Sequence, residues 1–105
     1  MDNLPASVAV HVIGRVQGVG FRAWMAAEAR GLGLSGWAAN DPDGSVRAVL
    51  TGREEAVTLM LDRLRVGPPA ARVDRVLTEP ADPDDSMMAR APVAFDANVA
   101  SAPSR

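Results

Sequence analysis

Apolar residues near the start of the chain recur at every second position. β-branched side chains at this period predict a strand over residues 7–13. From residue 21 to residue 32 the apolar positions follow helical spacing instead, which predicts a helix ended by Gly31 and Gly33. The alternating strand positions are Val8, Val10 and Val12.

A second pair of apolar segments flanks a short polar turn. Residues 34–40, around Trp37, and residues 46–51 both have the composition of strands. The sequence Asp41-Pro42-Asp43-Gly44 between them is typical of a turn, because proline presets φ and glycine accepts a positive φ. We therefore expect the two strands to form an antiparallel hairpin, and both Trp37 and Trp24 to lie in the core.

A second helix is predicted directly after the hairpin. Thr51 and Glu54 fit a capping box in which Thr51 is the N-cap. Gly67, followed by two prolines, ends this helix near residue 66. The charged but valine-containing residues 72–78 predict a fourth strand. The apolar stripe of the helix consists of Val57, Leu61 and Leu64.

The order of elements is therefore β-α-β-β-α-β. This order predicts an α+β fold, the ferredoxin-like sandwich, with two helices on one face of an antiparallel sheet. The chain length of 105 residues favours one domain. We place that domain at residues 1–95, with Val93 to Phe95 as the candidate for a last edge strand. Residues 96–105 are expected to form a flexible tail.

Composition excludes several classes of chemistry. The chain has no cysteine and one histidine, His11, so a thiolate nucleophile, a cysteine zinc site and a multi-histidine metal centre are not expected. The formal net charge of −2 gives no basic field for nucleic acid. The sequence shows neither a signal-peptide pattern nor a membrane span. We expect a cytoplasmic monomer without metal or cofactor.

A glycine-rich loop joins the first strand to the first helix. Gly14, Gly18 and Gly20 let backbone N–H groups converge without Cβ clashes. The helix N-terminus that follows adds unpaired donors and a partial positive charge, so the loop predicts a cradle for an anion such as phosphate. A tight turn without a ligand is the alternative.

Arg22 strengthens the phosphate interpretation. A cation in the first turn of a helix is unfavourable by about 0.3–1 kcal/mol. A bound anion reverses this effect, because a guanidinium can hold a phosphate through two hydrogen bonds. A solvated arginine is the alternative. The formal match of residues 18–23 to a dinucleotide fingerprint lacks the parallel β-α-β context that such a site needs.

Asn40 is the second candidate for chemistry. It stands where the second strand meets the turn, and its carboxamide can donate and accept hydrogen bonds without carrying charge. It could therefore hold a water molecule beside a phosphate, which a carboxylate would repel. An asparagine that only starts the turn is the alternative. Asp41 and Asp43 are interpreted as turn residues rather than metal ligands, and His11 as a residue on the face of the sheet.

Together these two regions resemble a known family. The run from Val12 to Arg22 resembles the first acylphosphatase signature at every constrained position. Gly36-Trp37-Ala38-Ala39-Asn40, followed by Gly44, Val46 and Gly52, resembles the second. The resemblance covers roughly residues 8–80, and it implies the ferredoxin-like fold and metal-independent hydrolysis of small acyl phosphates.

The resemblance also implies functions for individual residues. Arg22 corresponds to the arginine that binds the substrate phosphate, and Asn40 to the asparagine that positions the attacking water. Ala39 stands where many members carry a basic residue, so substrate affinity is expected to be lower if that residue contacts substrate. The backbone N–H groups implied in phosphate binding are those of Gln17, Gly18, Val19, Gly20 and Phe21.

Two other functions remain open at this stage. Related domains in hydrogenase-maturation proteins suggest carbamoyl phosphate as the substrate, although those domains belong to much longer chains. A ferredoxin-like module that binds an anion without catalysis is the second. An RNA-binding version is disfavoured, because the chain has no tyrosine and two phenylalanines to stack on bases.

Overall fold

The computed structural model describes residues 5–81 and 93–96. Its five strands form one sheet in the order β4-β1-β3-β2-β5, and every neighbouring pair is antiparallel. The elements in chain order are β1 (Pro5–Arg15), α1 (Phe21–Gly31), β2 (Ser35–Asn40), β3 (Val46–Arg53), α2 (Glu54–Val66), β4 (Arg72–Pro80) and β5 (Val93–Asp96).

This architecture confirms the predicted ferredoxin-like βαββαβ order, with one addition. β5 pairs with β2 and extends the sheet beyond the four predicted strands, at the position of the candidate edge strand. The proposed tail at residues 96–105 lies, after Asp96, outside the described residues. Within the described parts of the chain, no helix is long and apolar enough to cross a membrane.

The core lies between the helices and one face of the sheet. Alternate residues of β1 and β3 face the helices and are almost fully buried, as the period of two predicts. Burial of these side chains supplies the main favourable free energy of folding. Fully buried side chains from both layers include Val12, Val46, Leu50, Met25, Met60 and Leu64.

Gly14 lets β4 approach β1 closely at the end that leads to the loop. The pairing of β1 with β4 shifts register between Ile13 and Gly14. Gly14 has a φ of 144°, and a Cβ there would collide with the carbonyl oxygen of Arg72. The bulge therefore requires glycine, and it fixes where the strand stops and the loop begins.

The predicted capping box of the second helix is wrong. Thr51 lies within β3, and the N-cap of α2 is Arg53, whose side chain makes no capping hydrogen bond. The reason is sheet pairing: β1 and β3 stay in register as far as Pro5 and Arg53. The Thr51 hydroxyl instead lies 3.0 Å from the hydroxyl of Ser7 on the neighbouring strand.

The two tryptophans occupy different environments. Trp24 packs against the core, with its ring centroid 5.4 Å from that of Phe21. Trp37 pairs with Val49 and stands on the sheet face that the helices leave open, because Ala38 beside it faces the helices. The prediction of a core position is confirmed for Trp24 and is wrong for Trp37.

Candidate active site

The glycine-rich loop is held at both ends by buried side chains. Val16, the residue directly after β1, is 1% exposed, and Phe21, the first residue of α1, is 2% exposed. Between them the backbone takes positive φ angles at Gly18 (75°) and Gly20 (74°). These left-handed conformations cost glycine little, and they turn the chain sharply between its two anchors.

The start of α1 offers backbone donors that no helical carbonyl can satisfy. The first helical hydrogen bond runs from the Trp24 N–H to the Gly20 carbonyl at 3.0 Å. The N–H groups of residues 21–23 precede this bond and have no acceptor within the helix. The first turn contains no acidic residue and no side-chain cap. An anion is therefore the natural complement to this end of the helix.

Asn40 is brought to this loop by the pleat of the sheet. It is the last residue of β2 and pairs with Val46, which is fully buried under the helices. Asn40 therefore lies on the face of the sheet that the helices cover, at the end of the sheet where β1 stops and the loop begins. It and Arg22 are both half-buried.

Five of the predicted site residues surround one pocket of about 220 Å³. Val16 and Ala23 complete its lining, and none of the lining residues is acidic or a histidine. Gln17 and Val19 do not line it; the side chain of Val19 packs against the core. The predicted residues that the fold brings together are Gly18, Gly20, Phe21, Arg22 and Asn40.

Ala39 lies on the opposite face from the pocket. Its Cα pairs with Arg47 on the open side of the sheet, and it is 2% exposed. A side chain at this position cannot contact a phosphate held beside Asn40, because consecutive strand residues point to opposite faces. The sequence predicts a lower substrate affinity only if the residue at position 39 contacts the substrate. The position of Ala39 does not allow that contact.

Gln17 reaches away from the pocket to the β2–β3 turn. Its side-chain amide donates hydrogen bonds to the backbone carbonyls of Asp41 (2.7 Å) and Ser45 (2.9 Å). The family resemblance implies only a backbone donor for this residue. The acceptors lie 24 and 28 residues further along the chain, so no local pattern could have indicated the contact.

The turn that follows Asn40 is held by its own network. The Asp41 N–H donates to the Ser45 carbonyl at 2.8 Å, and Arg47 pairs with the Asp41 carboxylate. The Ser45 hydroxyl donates to Asp43 and lies 2.6 Å from His11 Nε2. The prediction that Asp41 and Asp43 are turn residues is confirmed by these contacts, and His11 does lie on a face of the sheet.

The electrostatics of this turn follow from the same contacts. The pKa of Asp43 is lowered from its usual range, because the hydroxyl and the backbone N–H of Ser45 both donate to its carboxylate. The charges of His11 and Arg47 act in the same direction. Within residues 5–81 and 93–96 no cluster of three or more histidine, aspartate or glutamate side chains could hold a metal ion.

The chain is similar to known proteins of one family. The acylphosphatase family model matches residues 8–91. An acylphosphatase of Rhodopseudomonas palustris (strain BisB5) is 56% identical over 75 residues, which are 71% of this chain and 76% of that protein.

Solved structures give the same result. An acylphosphatase from Coxiella burnetii superposes with a TM-score of 0.74 at 34% identity, covering 80% of this chain and 87% of that chain. HypF from T. kodakarensis matches at a TM-score of 0.67 and 35% identity, but over only 10% of its own chain. The family model, the curated relative and the fold all agree: the chain belongs to the acylphosphatase family.

Proposed function

We propose that the pocket between the glycine-rich loop and Asn40 is where this chain hydrolyses the carboxyl–phosphate bond of acyl phosphates. The observation that carries the proposal is that Arg22, the start of α1 and Asn40 line one pocket of about 220 Å³. The first two form an anion cradle, and Asn40 is a neutral group that can hold water.

Phosphate binding is assigned to the loop and to Arg22. Backbone N–H groups of residues 17–21 donate to phosphate oxygens, and the Arg22 guanidinium supplies the positive charge. These donors already point at the phosphate before the reaction, so they need not reorganise during phosphoryl transfer. Such preorganised donors are the main source of rate enhancement in phosphoryl transfer, because the negative charge of the transition state spreads over the three equatorial oxygens of the phosphoryl group.

Asn40 is assigned to the attacking water. Its carbonyl oxygen accepts a hydrogen bond from the water, and its charge-neutral amide does not repel the phosphate. The water oxygen forms a bond to phosphorus, and the bond from phosphorus to the carboxyl oxygen breaks. The carboxylate leaves with the electron pair of that bond. One proton of the attacking water passes to a phosphate oxygen, and the other stays on the oxygen that is now bound to phosphorus.

This reaction does not require a protein general base. The residues that line the pocket include no aspartate, glutamate or histidine. The leaving carboxylate is a weak base that needs no protonation, so positioning and charge stabilisation supply most of the catalysis. A positive guanidinium and backbone donors can provide both, which favours a metal-independent mechanism.

The substrate is proposed to be a small acyl phosphate recognised mainly at its phosphate end. The donors at the pocket are the backbone N–H groups of the loop and the Arg22 guanidinium, which recognise a phosphate group. We further propose that the chain acts as a monomer in the cytoplasm. Light scattering of the purified chain at micromolar concentration tests the first point, and cell fractionation tests the second.

The deciding experiment is hydrolysis of benzoyl phosphate in the presence of EDTA. We expect turnover by the native chain and a loss of about 10²–10³-fold in Arg22→Ala, as for removal of one charge-stabilising donor. Asn40→Ala should lower kcat while inorganic phosphate still inhibits. Arg30→Ala, at the exposed far end of the same helix, is the matched control and should remain active.

Three results would contradict the proposal. Full activity of Arg22→Ala would remove the phosphate assignment. An equal loss of phosphate affinity and kcat in Asn40→Ala would make Asn40 a binding residue. Binding of phosphate without turnover by the native chain would indicate an anion-binding module.

A further inference from the structure

The Gln17 carboxamide bridges the two halves of the site. It belongs to the glycine-rich loop, yet both of its hydrogen bonds reach backbone carbonyls of the β2–β3 turn. One of these carbonyls belongs to Asp41, which directly follows Asn40. A single side chain therefore links the phosphate cradle to the end of the strand that carries the water-holding amide.

The turn is the fixed partner in this contact. Two backbone hydrogen bonds close it, from Asp41 N–H to the Ser45 carbonyl and from Gly44 N–H to the Asp41 carbonyl. The side chains of Arg47 and His11 then hold it to the sheet. Ser45 is 4% exposed, so its carbonyl lies in a well-packed environment.

The loop has open space around its two glycines. Gly18 and Gly20 both take positive φ angles, and a Cβ added at either position would meet no atom within 4 Å. Glycine also has the largest conformational freedom to lose on ordering. The two hydrogen bonds of Gln17 tie this loop to the closed turn.

Gln17 does not act as a phosphate ligand through its side chain. An amide has two N–H donors, and here the nitrogen donates to two carbonyls at 2.7 and 2.9 Å. The remaining group is the carboxamide oxygen, which would repel a phosphate. The absence of Gln17 from the pocket lining agrees with this.

We propose that the Gln17 side chain is a positioning residue that sets the distance between the phosphate cradle and the water held by Asn40. This proposal rests on the site assigned above. In-line attack needs the water oxygen and phosphorus at near-contact distance along one axis. A displacement of about 1 Å between two such elements can cost about 10²-fold in rate.

Gln17→Met tests this proposal, because methionine keeps the length of the side chain and removes both donors. We expect kcat for benzoyl phosphate to fall about 10- to 100-fold. The inhibition constant of inorganic phosphate should stay close to that of the native chain, since the N–H groups and Arg22 remain. The matched control is Thr51→Val, which removes the Ser7 hydrogen bond at the other end of β3.

Gln17→Glu adds a readout that a purely structural role would not change. A carboxylate cannot donate to the two carbonyls, whereas a protonated carboxyl regains one donor. We expect the ratio of variant to native kcat to rise as the pH falls through the carboxyl pKa. Gln17→Met should show no such rise.

The outcomes separate this inference from the proposed function. Unchanged kcat in Gln17→Met, with an active and Arg22-dependent native chain, overturns the positioning role and leaves the function intact. A large loss of phosphate affinity in Gln17→Met with kcat retained overturns it in favour of direct binding. An inactive native chain instead refutes the proposed function itself.

Discussion

The two helices of this protein begin in opposite electrostatic settings. The first turn of α2 contains Glu54 and Glu55, and the N-cap before it has an extended backbone. The first turn of α1 contains no acid and carries Arg22, and its N-cap is a glycine in the left-handed conformation. Neither N-cap makes a side-chain capping hydrogen bond.

This difference accords with the proposed binding of phosphate at the start of α1, because only α2 carries acidic side chains in its first turn. Acidic residues near the N-terminus of α2 complement its dipole and stabilise the folded chain without a ligand. No acidic side chain in the first turn of α1 complements the same dipole, and an arginine adds to the positive charge. An anion bound there would supply the kind of stabilisation that α2 gains from its own side chains.

The largest expected effect comes from giving α1 the charge pattern of α2. Arg22→Glu should lower turnover of benzoyl phosphate by at least about 10²-fold. It should also stabilise the free chain by about 0.3–1 kcal/mol, because an acid now faces the helix N-terminus. Turnover and urea unfolding measure the two effects.

Phosphate supplies the second half of this test. Saturating phosphate should raise the unfolding free energy of the native chain, by about 2.7 kcal/mol at 100 times its Kd, and should leave Arg22→Glu unchanged. Arg30→Glu is the matched control, and its expected change in unfolding free energy has the opposite sign. It removes a cation from the last turn of α1, so it should destabilise the chain and leave activity unchanged. If phosphate stabilised both Arg22→Glu and the native chain equally, α1 would not be the binding end.

A smaller change in unfolding free energy is expected from substitutions at the N-caps of α1 and α2. Gly20→Ala forces a side chain into a φ of 74°, which should cost about 1–2 kcal/mol in unfolding free energy. No neighbouring atom would clash, so the loss reports backbone strain alone. Arg53, the N-cap of α2, has a φ of −65°, so Arg53→Ala should introduce no such backbone strain. Equal losses in urea unfolding would show that the two caps do not differ in this way.

The smallest effect is expected at the start of α2. Glu54→Gln removes one exposed acid from the first turn and should destabilise the chain by about 0.3–1 kcal/mol at low salt. Urea unfolding at about 1 M salt, where the Debye length is about 3 Å, should remove most of the difference. Activity should remain at the native level. A salt-independent loss would mean that Glu54 acts through packing instead of charge.

Local sequence carries most of the information about the glycine-rich loop, the start of α1 and the turn at residues 41–44. The glycines at 18 and 20, the arginine at 22 and the turn at residues 41–44 each have a meaning that depends on near neighbours. Their conformations follow from Cβ sterics and from unpaired helical N–H groups. The predicted order of elements follows from such signals, whereas the grouping of Arg22 with Asn40 rests on the resemblance to the acylphosphatase signatures.

Contacts between distant strands account for the predictions that failed. The signal for a capping box at Thr51 was local, but pairing of β3 with β1 as far as Arg53 outweighed it. Trp37 has a side chain typical of a core, yet the pleat placed it on the open face of the sheet. Register decides such cases, since a shift of one residue exchanges the two faces.

The sequence by itself determined the glycine-rich loop, the turn at residues 41–44 and the order of the strands and helices, because these depend on backbone sterics and on local periodicity. The tertiary structure alone decided that Ala39 faces away from the pocket and that Gln17 spans from the loop to the turn. Both facts depend on which strands pair and in which register, and burial of the whole core sets that pairing.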